Sequence, residues 1–372
     1  MNHPSKLRIG IIFGGRSGEY EISLMSARSV IGVLDPQRYE ITQIGITHEG
    51  AWVTGENVLE AMEKGKTDHL HTAVLFADPT WEGLSVIKKT EQGNMVELFA
   101  KLDVVFPVLH GTYGEDGTLQ GMLEMADIAY VGAGVLGSSV GMDKGLFQAV
   151  MQANQIPVIE TIVVLRNDFT QRMDEIIAQA EELAAYPLFT KPANLGSSVG
   201  VSKCHNRSDL IEGLMEAARY DRRILIQRGV NGREIEVSVL GNDAPEASVP
   251  GEVVPSREFY SYEAKYIDNA SELLIPAPIP EATARLAREL AVRAFKAIDC
   301  QGMARVDFLL DRDDGELYLN ELNTIPGFTS ISMYPKLWEA CDLTYPRLVD
   351  RLIELALERK AEKIKTEHRY MG

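Results

Sequence analysis

Hydrophobic residues along the chain gather in short runs separated by polar stretches that carry glycine, and the spacing inside the runs alternates between strand and helix periods. Leu7 to Phe13 reads as a short strand. It leads into GGRSGE, Gly14 to Glu19, and then into a stretch from about Tyr20 to Leu34 where Ile22, Met25, Val30 and Val33 fall near one helical face. A further strand, Val104 to Leu109, runs into HGTYGEDG, His110 to Gly117. Strand, glycine loop and helix in succession predict an open α/β domain. In a parallel sheet both loops would lie at the carboxyl ends of their strands, where ligands bind. The first loop spaces its glycines G-G-x-x-G and so lacks the G-x-G-x-x-G fingerprint of a dinucleotide site. Residues from about Trp52 to Lys101 mix polar clusters with the run Thr72 to Phe76 and read as an elaboration of this first domain.

Farther along, Ile224 to Asn242 predicts two strands joined by an Asn-Gly turn at Asn231 and Gly232. Helices are expected from Pro280 to about Ile298 and from Tyr345 to Lys365. Between them, two apolar runs carry polar residues two apart: Arg305 and Asp307 in MARVDFLL, then Glu321 and Asn323 in LNELN. The strand period puts each pair on one face. DRDDG, Asp311 to Gly315, suits the turn of a hairpin. With Leu310 paired to Glu316, Arg305 would stand opposite Glu321 and Asp307 opposite Leu319, which gathers all four polar residues on a single face. Such a set of oxygen ligands fits a hard cation such as Mg²⁺ better than zinc, and Mg²⁺ so held completes its shell with phosphate oxygens. An ordinary salt bridge on an exposed hairpin is the other reading.

Phosphate handling needs fixed positive charge, and the chain has no Walker-type G-x-x-x-x-G-K-[ST] loop. Lys144 follows a glycine-rich turn in MDKG, and Lys191 ends the apolar run Tyr186 to Thr190 in FTKP, just before a second glycine-rich loop. The hexapeptide LGSSVG occurs at Leu136 to Gly141 and again at Leu195 to Gly200, each copy followed by a lysine, Lys144 or Lys203. Six residues do not make an architectural repeat. The first copy reads as an ordinary turn, the second as a candidate anion-binding flap. The long polar and aromatic stretch Arg257 to Ser271 places Lys265 and Tyr266 where they could close over a site, unless it is an exposed loop with packed tyrosines.

A length of 372 residues, 45% of them hydrophobic, suits a globular protein of two or three domains. The net charge of -17 argues against nucleic acid or an anionic membrane as partner. It leaves ATP open, since local lysines and Mg²⁺ can neutralise a triphosphate. Cys204, Cys300 and Cys341 show no Cys-x-x-Cys spacing, so neither a disulfide framework nor a zinc site is indicated. His69 and His71 lack further ligands nearby and read as part of a solvated loop. No apolar run reaches the length of a membrane span and the start has no signal-peptide layout, so a cytoplasmic location is expected.

With these elements together, the sequence resembles the D-alanine:D-alanine ligases of the ATP-grasp family. The stretches that carry the resemblance are IIFGGRSGEYEISL, LHGTYGEDGTLQGMLE, MDK, TKPANLGSSVG, FYSYEAKYID, ARVDFLL and LNELNTIPGFTSISMYPKLW, in the family's order from Ile11 to Trp338. The resemblance implies an α/β (α+β) ATP-grasp fold of three domains: an N-terminal Rossmann-like domain over 1–140, a central lid over 141–223, and a C-terminal catalytic domain over 224–372 with an omega-type loop at 257–271. ATP would be gripped between the last two.

It also implies roles. Lys144 and Lys191 would contact ATP phosphates, while Gln227, Val230 and Glu234 would surround adenine and ribose. Asp307, Glu321 and Asn323 would bind two Mg²⁺ ions, with Mn²⁺ able to replace them. Glu19 would hold the ammonium of the first D-alanine and join Ser197 and Tyr266 in a hydrogen-bonded group. His110 would lie near the substrates. Lys265, Ser332 and the Met333 N–H would hold the carboxylate of the second D-alanine, and Arg305 with the Gly327 N–H would serve the developing oxyanion. Gln227 stands where many relatives have glutamate, and Met333 where one branch has leucine. A homodimer is also implied.

The reaction so implied joins two D-alanines through a D-alanyl phosphate for peptidoglycan precursors. A D-alanine:D-lactate ligase is the neighbouring alternative, against which Tyr266 speaks. A non-catalytic nucleotide-binding relative is the alternative from another class, and the phosphate lysines and carboxylates are all present against it. A dehydrogenase fits worse, because the glycine spacing is wrong.

Overall fold

The structure is a computed structural model and describes residues 6–255, 272–329 and 331–367. Eight strands form the first sheet: β1 Leu7–Gly14, β2 Tyr39–Ile46, β3 Trp52–Thr54, β4 His71–Leu75, β5 Gly83–Thr90, β6 Gly93–Lys101, β7 Val104–Pro107 and β8 Ala129–Tyr130, in the order β6-β5-β4-β3-β2-β1-β7-β8. β2, β1, β7 and β8 run parallel. β1 is apolar on both faces because both are covered. Ile9, Ile11 and Phe13 pack with Leu24, Ala27 and Val30 of the helix Tyr20–Val33, and Ile12 packs on the other side with Ile44, Val105 and Leu123. The 52–101 segment adds β3 to β6 as an antiparallel extension of this sheet.

Chain order changes direction between β1 and β7, whose parallel pairing brings the loops after them side by side. Ser17 Oγ donates to the His110 carbonyl at 2.8 Å and Gly14 N–H donates to Ser23 Oγ at 2.8 Å, which ties the two loops and the first helix together.

The second sheet has four strands, β9 Thr161–Leu165, β10 Leu188–Pro192, β11 Ser202–Cys204 and β12 Arg223–Arg228, ordered β11-β10-β12-β9. The third contains β13 Gly232–Gly241, β14 Glu246–Ala247, β15 Gly251–Val254, β16 Glu272–Leu274, β17 Gly302–Asp311 and β18 Leu317–Asn323, with β14 pairing β13 beside the path β16-β15-β13-β17-β18. The two strands expected on either side of Asn231 and Gly232 exist but do not form a hairpin. β12 pairs with β9 and β10, whereas β13 pairs with β15 and β17, so Gly229 to Asn231 carries the chain from one sheet to the next. The stretch 223–228 is therefore part of the second sheet.

One face of the third sheet is the core: Ile235, Val237 and Val239 with Ala304, Val306 and Phe308 pack on Ala287, Leu290, Ala294 and Phe295 of the helix Glu281–Ala297. The first LGSSVG copy is not a turn but lies inside the helix Val135–Met142. Its two glycines, four apart, let the helix approach closely: a Cβ on Gly137 would stand 3.1 Å from Cys300 Cα, and one on Gly141 3.2 Å from Thr324 Cγ2. The closing helix Tyr345–Lys363 returns to the first sheet, where Leu348, Val349, Leu352 and Ile353 join the Ile9 cluster.

Candidate active site

The β17–β18 hairpin sets up the polar face by a bulge. Phe308 stands opposite Leu319 and Leu310 opposite Leu317, then the register shifts so that Asp307 faces Glu321 and Arg305 faces Asn323. The expected pairing of Leu310 with Glu316 is thus displaced by one residue beside the turn and by a further one at the acidic end, with Asn320 the extra residue. Without it, Leu317, Leu319, Glu321 and Asn323 would share a face. With it, Leu317 and Leu319 enter the core beside Phe308, while Glu321 and Asn323 turn to the opposite face with Asp307. Burial of a leucine is worth about 1.5–3 kcal/mol, and a carboxylate forced into that core would cost several, so the bulge wins over a regular ladder.

On this face Arg305 donates to both Asp307 oxygens at 2.7 Å, and Asn323 Nδ2 donates to Asp307 Oδ2 at 2.9 Å. Glu236 of β13 stands opposite Asp307 across the other ladder, its Oε2 3.0 Å from Arg305 Nε. Glu321 pairs with Lys144 at 3.4 Å. Among the described residues no group of three or more His, Cys, Asp or Glu side chains is placed to hold a metal ion. The donors here are two carboxylates and an amide, all oxygen ligands, so the set fits a hard cation whose shell is completed by other oxygens.

A cavity of about 310 Å³ opens between the second and third sheets. Lys144, Lys191, Gln227, Val230 and Glu234 line it, with apolar surface from Ile159, Phe189 and Leu309. Lys191 Nζ donates to Gln227 Oε1 at 2.6 Å, and Gln227 Nε2 donates to Thr161 Oγ1 at 3.1 Å. Lys144 begins the helix Lys144–Ala153 behind its N-cap Asp143, and its Nζ donates to the Leu195 carbonyl at 2.9 Å. The second LGSSVG copy is a loop, in which Ser197, Ser198 and Gly200 hold φ values of 52°, 59° and 71°. The two serines adopt a left-handed conformation uncommon for them, and Ser197 Oγ donates to Glu19 Oε1.

A smaller cavity of about 60 Å³ is lined by Glu19, His110, Glu115, Arg305 and Gly327 and shares Lys144, Gly196, Ser197 and Glu321 with the larger one. His110 is 4% exposed, with Nδ1 2.9 Å from the Ile325 carbonyl and Nε2 3.2 Å from Ser26 Oγ. A carbonyl only accepts, so Nδ1 carries the proton and Nε2 accepts from Ser26. Burial holds the imidazole below its ordinary range, against the pull of the Glu19 carboxylate and the Ile325 bond, with Arg305 lowering it further. Glu115 accepts N–H bonds from Gly111 at 2.8 Å and Ile325 at 2.9 Å. Its enclosure, together with the nearby Glu19 charge, pushes the carboxyl up to about 8.

Ser332 and Met333 line neither cavity. Ser332 stands just behind Gly327, where a Cβ would meet its Oγ at 2.9 Å, and the Met333 side chain is buried with Val253 and Leu337. Lys265 and Tyr266, with the rest of 257–271, lie outside the described residues. Three residues of the site escaped the sequence reading: Glu115, Glu236 and Ser26. Glu236 had a signal, since it falls two after Glu234 on an alternating strand. Glu115 had only its place in a glycine loop.

Family models described as "D-ala D-ala ligase N-terminus" and "D-ala D-ala ligase C-terminus" match residues 8–133 and 150–354. The D-alanine–D-alanine ligase of Heliobacterium modesticaldum is 50% identical over 358 residues, covering 96% of each chain. That of Thermoanaerobacter pseudethanolicus is 50% identical over 360 residues, covering 96% of this chain and 98% of its own. Among solved structures, the D-alanine-D-alanine ligase from Coxiella burnetii superposes with a TM-score of 0.80 at 36% identity, covering 97% of this chain and 96% of that one. The VanG D-Ala:D-Ser ligase from Enterococcus faecalis does so at 0.83 and 34% identity, covering 95% and 100%.

Proposed function

The chain belongs to the D-alanine:D-alanine ligase family, and on that premise we propose how its residues divide the work of joining two D-alanines at the expense of ATP. The protein is an ATP-dependent ligase with the ATP-grasp fold, serving cell-wall synthesis. The observation that supports the division of labour best is the junction of the two cavities at Lys144, Ser197 and Glu321. A nucleotide in the larger cavity would point its phosphates at that junction, and an amino acid in the smaller one would meet them there.

Gln227, Val230 and Glu234 face the adenosine, while Lys144 and Lys191 meet the phosphates. Asp307, Glu321 and Asn323 would hold two Mg²⁺ or Mn²⁺ ions, which supply charge neutralisation at the phosphoryl oxygens. Glu19 holds the ammonium of the first D-alanine, near His110, and Ser197 fixes the Glu19 carboxylate. An oxygen of the substrate carboxylate attacks the γ-phosphorus, the bond to the β-phosphate oxygen breaks, and ADP leaves a D-alanyl phosphate. The amine of the second D-alanine, its carboxylate held by Lys265, Ser332 and the Met333 N–H, attacks the carbonyl carbon. Charge on the carbonyl oxygen is met by Arg305 and the Gly327 N–H, both fixed in advance. Loss of the nitrogen's extra proton to solvent or to the departing phosphate, and collapse with expulsion of phosphate, leave the peptide bond. Ser197 and Tyr266 close the site against water, which would otherwise hydrolyse the acyl phosphate.

The Rossmann-like first sheet supplies the loops for the first D-alanine, the second sheet the lid, and the third the catalytic floor. The lid runs on through 228, because β12 pairs within it. Cytoplasmic residence fits the nucleotide substrate, and no helix among the described residues is long and apolar enough to cross a membrane. A homodimer is the expected assembly, to be read by sedimentation. The chemistry is tested with D-alanine carrying ¹⁸O in its carboxylate. Attack on the γ-phosphorus followed by loss of phosphate moves one labelled oxygen into inorganic phosphate, and phosphate free of label would rule out the acyl phosphate.

A further inference from the structure

Gly327 is held from both sides by main-chain bonds that reach into the first domain. Two residues before it, Ile325 gives its N–H to Glu115 Oε1 at 2.9 Å and accepts from His110 Nδ1 at 2.9 Å. One residue after it, Phe328 gives its N–H to Ser26 Oγ at 3.2 Å, and the same hydroxyl meets His110 Nε2. Between the pins lie Pro326, which has no N–H, and Gly327, whose N–H meets no acceptor among the described residues. A turn whose flanking N–H groups are both satisfied while one donor stays open beside a cavity is built to present that donor.

The two pins differ in strength of cause. Ser26 and His110 form a neutral chain, whereas Glu115 spans two N–H groups with a single carboxyl: Gly111 N–H on Oε2 at 2.8 Å fixes the loop to itself, and Ile325 N–H on Oε1 fixes the end of β18 to that loop. Glu115 thus reaches a residue 210 positions away in sequence. It also lines the small cavity, and its enclosure raises the carboxyl to about 8 against the two N–H bonds and Arg305, which favour the charged form.

We propose that Glu115 is a positioning residue for the ligation, acting through Ile325 to set the Gly327 N–H against the carbonyl oxygen of the D-alanyl phosphate. The inference rests on the oxyanion role given to Gly327 above. An ångström of drift in a preorganised donor lowers the rate of the step it serves and leaves remote binding untouched.

Glu115→Gln keeps the size of the side chain, but its amide can accept only one of the two N–H groups and sets a donor against the other. Glu115→Ala removes both bonds. Steady-state kinetics with ATP and D-alanine, thermal unfolding, and inhibition by a phosphinate dipeptide, tetrahedral at the reacting position, are measured on parent and variants. The expected result is a kcat lowered about tenfold to a hundredfold, with the KM for ATP within twofold, the phosphinate weakened in parallel with kcat, and Glu115→Gln less affected than Glu115→Ala. Parent-like kcat and phosphinate affinity in folded Glu115→Gln would overturn the proposal, as would a loss confined to melting temperature. A parent protein that is not inhibited by the phosphinate, or makes no dipeptide, would instead overturn the oxyanion reading beneath it.

Discussion

Asp307 and Glu321 face each other directly across the β17–β18 ladder, and they do so only because Asn320 is extra. Removal of Asn320 forces a choice between burying Leu319 and exposing Glu321 on the ligand face, since one register cannot satisfy both. Deletion of Asn320 is expected to abolish ligation and to cost about 2–4 kcal/mol of stability. Glu321→Gln, which keeps the ladder, is expected to lower kcat roughly a hundredfold with little change in melting temperature. Unchanged turnover with normal Mg²⁺ dependence in Glu321→Gln would contradict the role given to that carboxylate.

His110 should be neutral with its proton on Nδ1 at pH 6.5, because its Nδ1 partner is a carbonyl and burial disfavours the imidazolium. ¹⁵N chemical shifts of the ring distinguish the tautomers. A depressed folded-state value means the stability it lends is whole above the ordinary 6.5 and is lost as pH falls below it. An Nε2–H tautomer, or an imidazolium at pH 6.5, would break the hydrogen-bond chain through Ser26.

Glu115 titrates in the other sense. Its carboxyl is raised from the ordinary 4.5 to about 8. The folded chain therefore favours the protonated form, and that stability is whole below pH 4.5 and is lost as pH climbs through 8. Glu19, His110, Lys144, Arg305 and Glu321 are the titratable and charged groups that line the cavity with it. The melting temperature of the parent should fall over this window relative to Glu115→Gln, which carries no titrating group there. Parallel curves across pH 4.5 to 8 would deny the raised value.

Gln227 offers its oxygen to Lys191 and one N–H to Thr161, so its second N–H, which has no partner among the described residues, is the contact it can give a base. Gln227→Glu replaces that donor with an acceptor and strengthens the pair with Lys191. The KM for ATP should shift several-fold and the balance among purine nucleotides should change, with the KM for D-alanine held. Nucleotide competition assays read this directly, and identical preferences in the two proteins would remove Gln227 from the base pocket.

Local signals in the sequence carried the units of this fold: the strand, loop and helix of Leu7 to Val33, the acidic hairpin, and the helices near Glu281 and Tyr345 all follow from period and turn chemistry. What was not legible depends on partners far away. The Asn320 bulge follows from the need of Leu317 and Leu319 for the core under Phe308. The split of β12 from β13 into different sheets cannot be told from an Asn-Gly pair, which serves a crossing as well as a hairpin. LGSSVG is loop in one place and helix in the other, because Gly137 and Gly141 meet a backbone close by and Gly200 takes a left-handed turn. Glu115 carries no local signal beyond its place in the HGTYGEDG loop, because its partner Ile325 is brought to it only by folding.

The decisive measurement is the product formed by the purified protein from Mg²⁺-ATP and D-alanine, with D-lactate and D-serine offered as competing acceptors, followed by mass spectrometry against ADP release. D-alanyl-D-alanine formed in step with ADP, and dominant over both mixed products, is the expected result. ADP release independent of D-alanine, or a mixed product in excess, would contradict it.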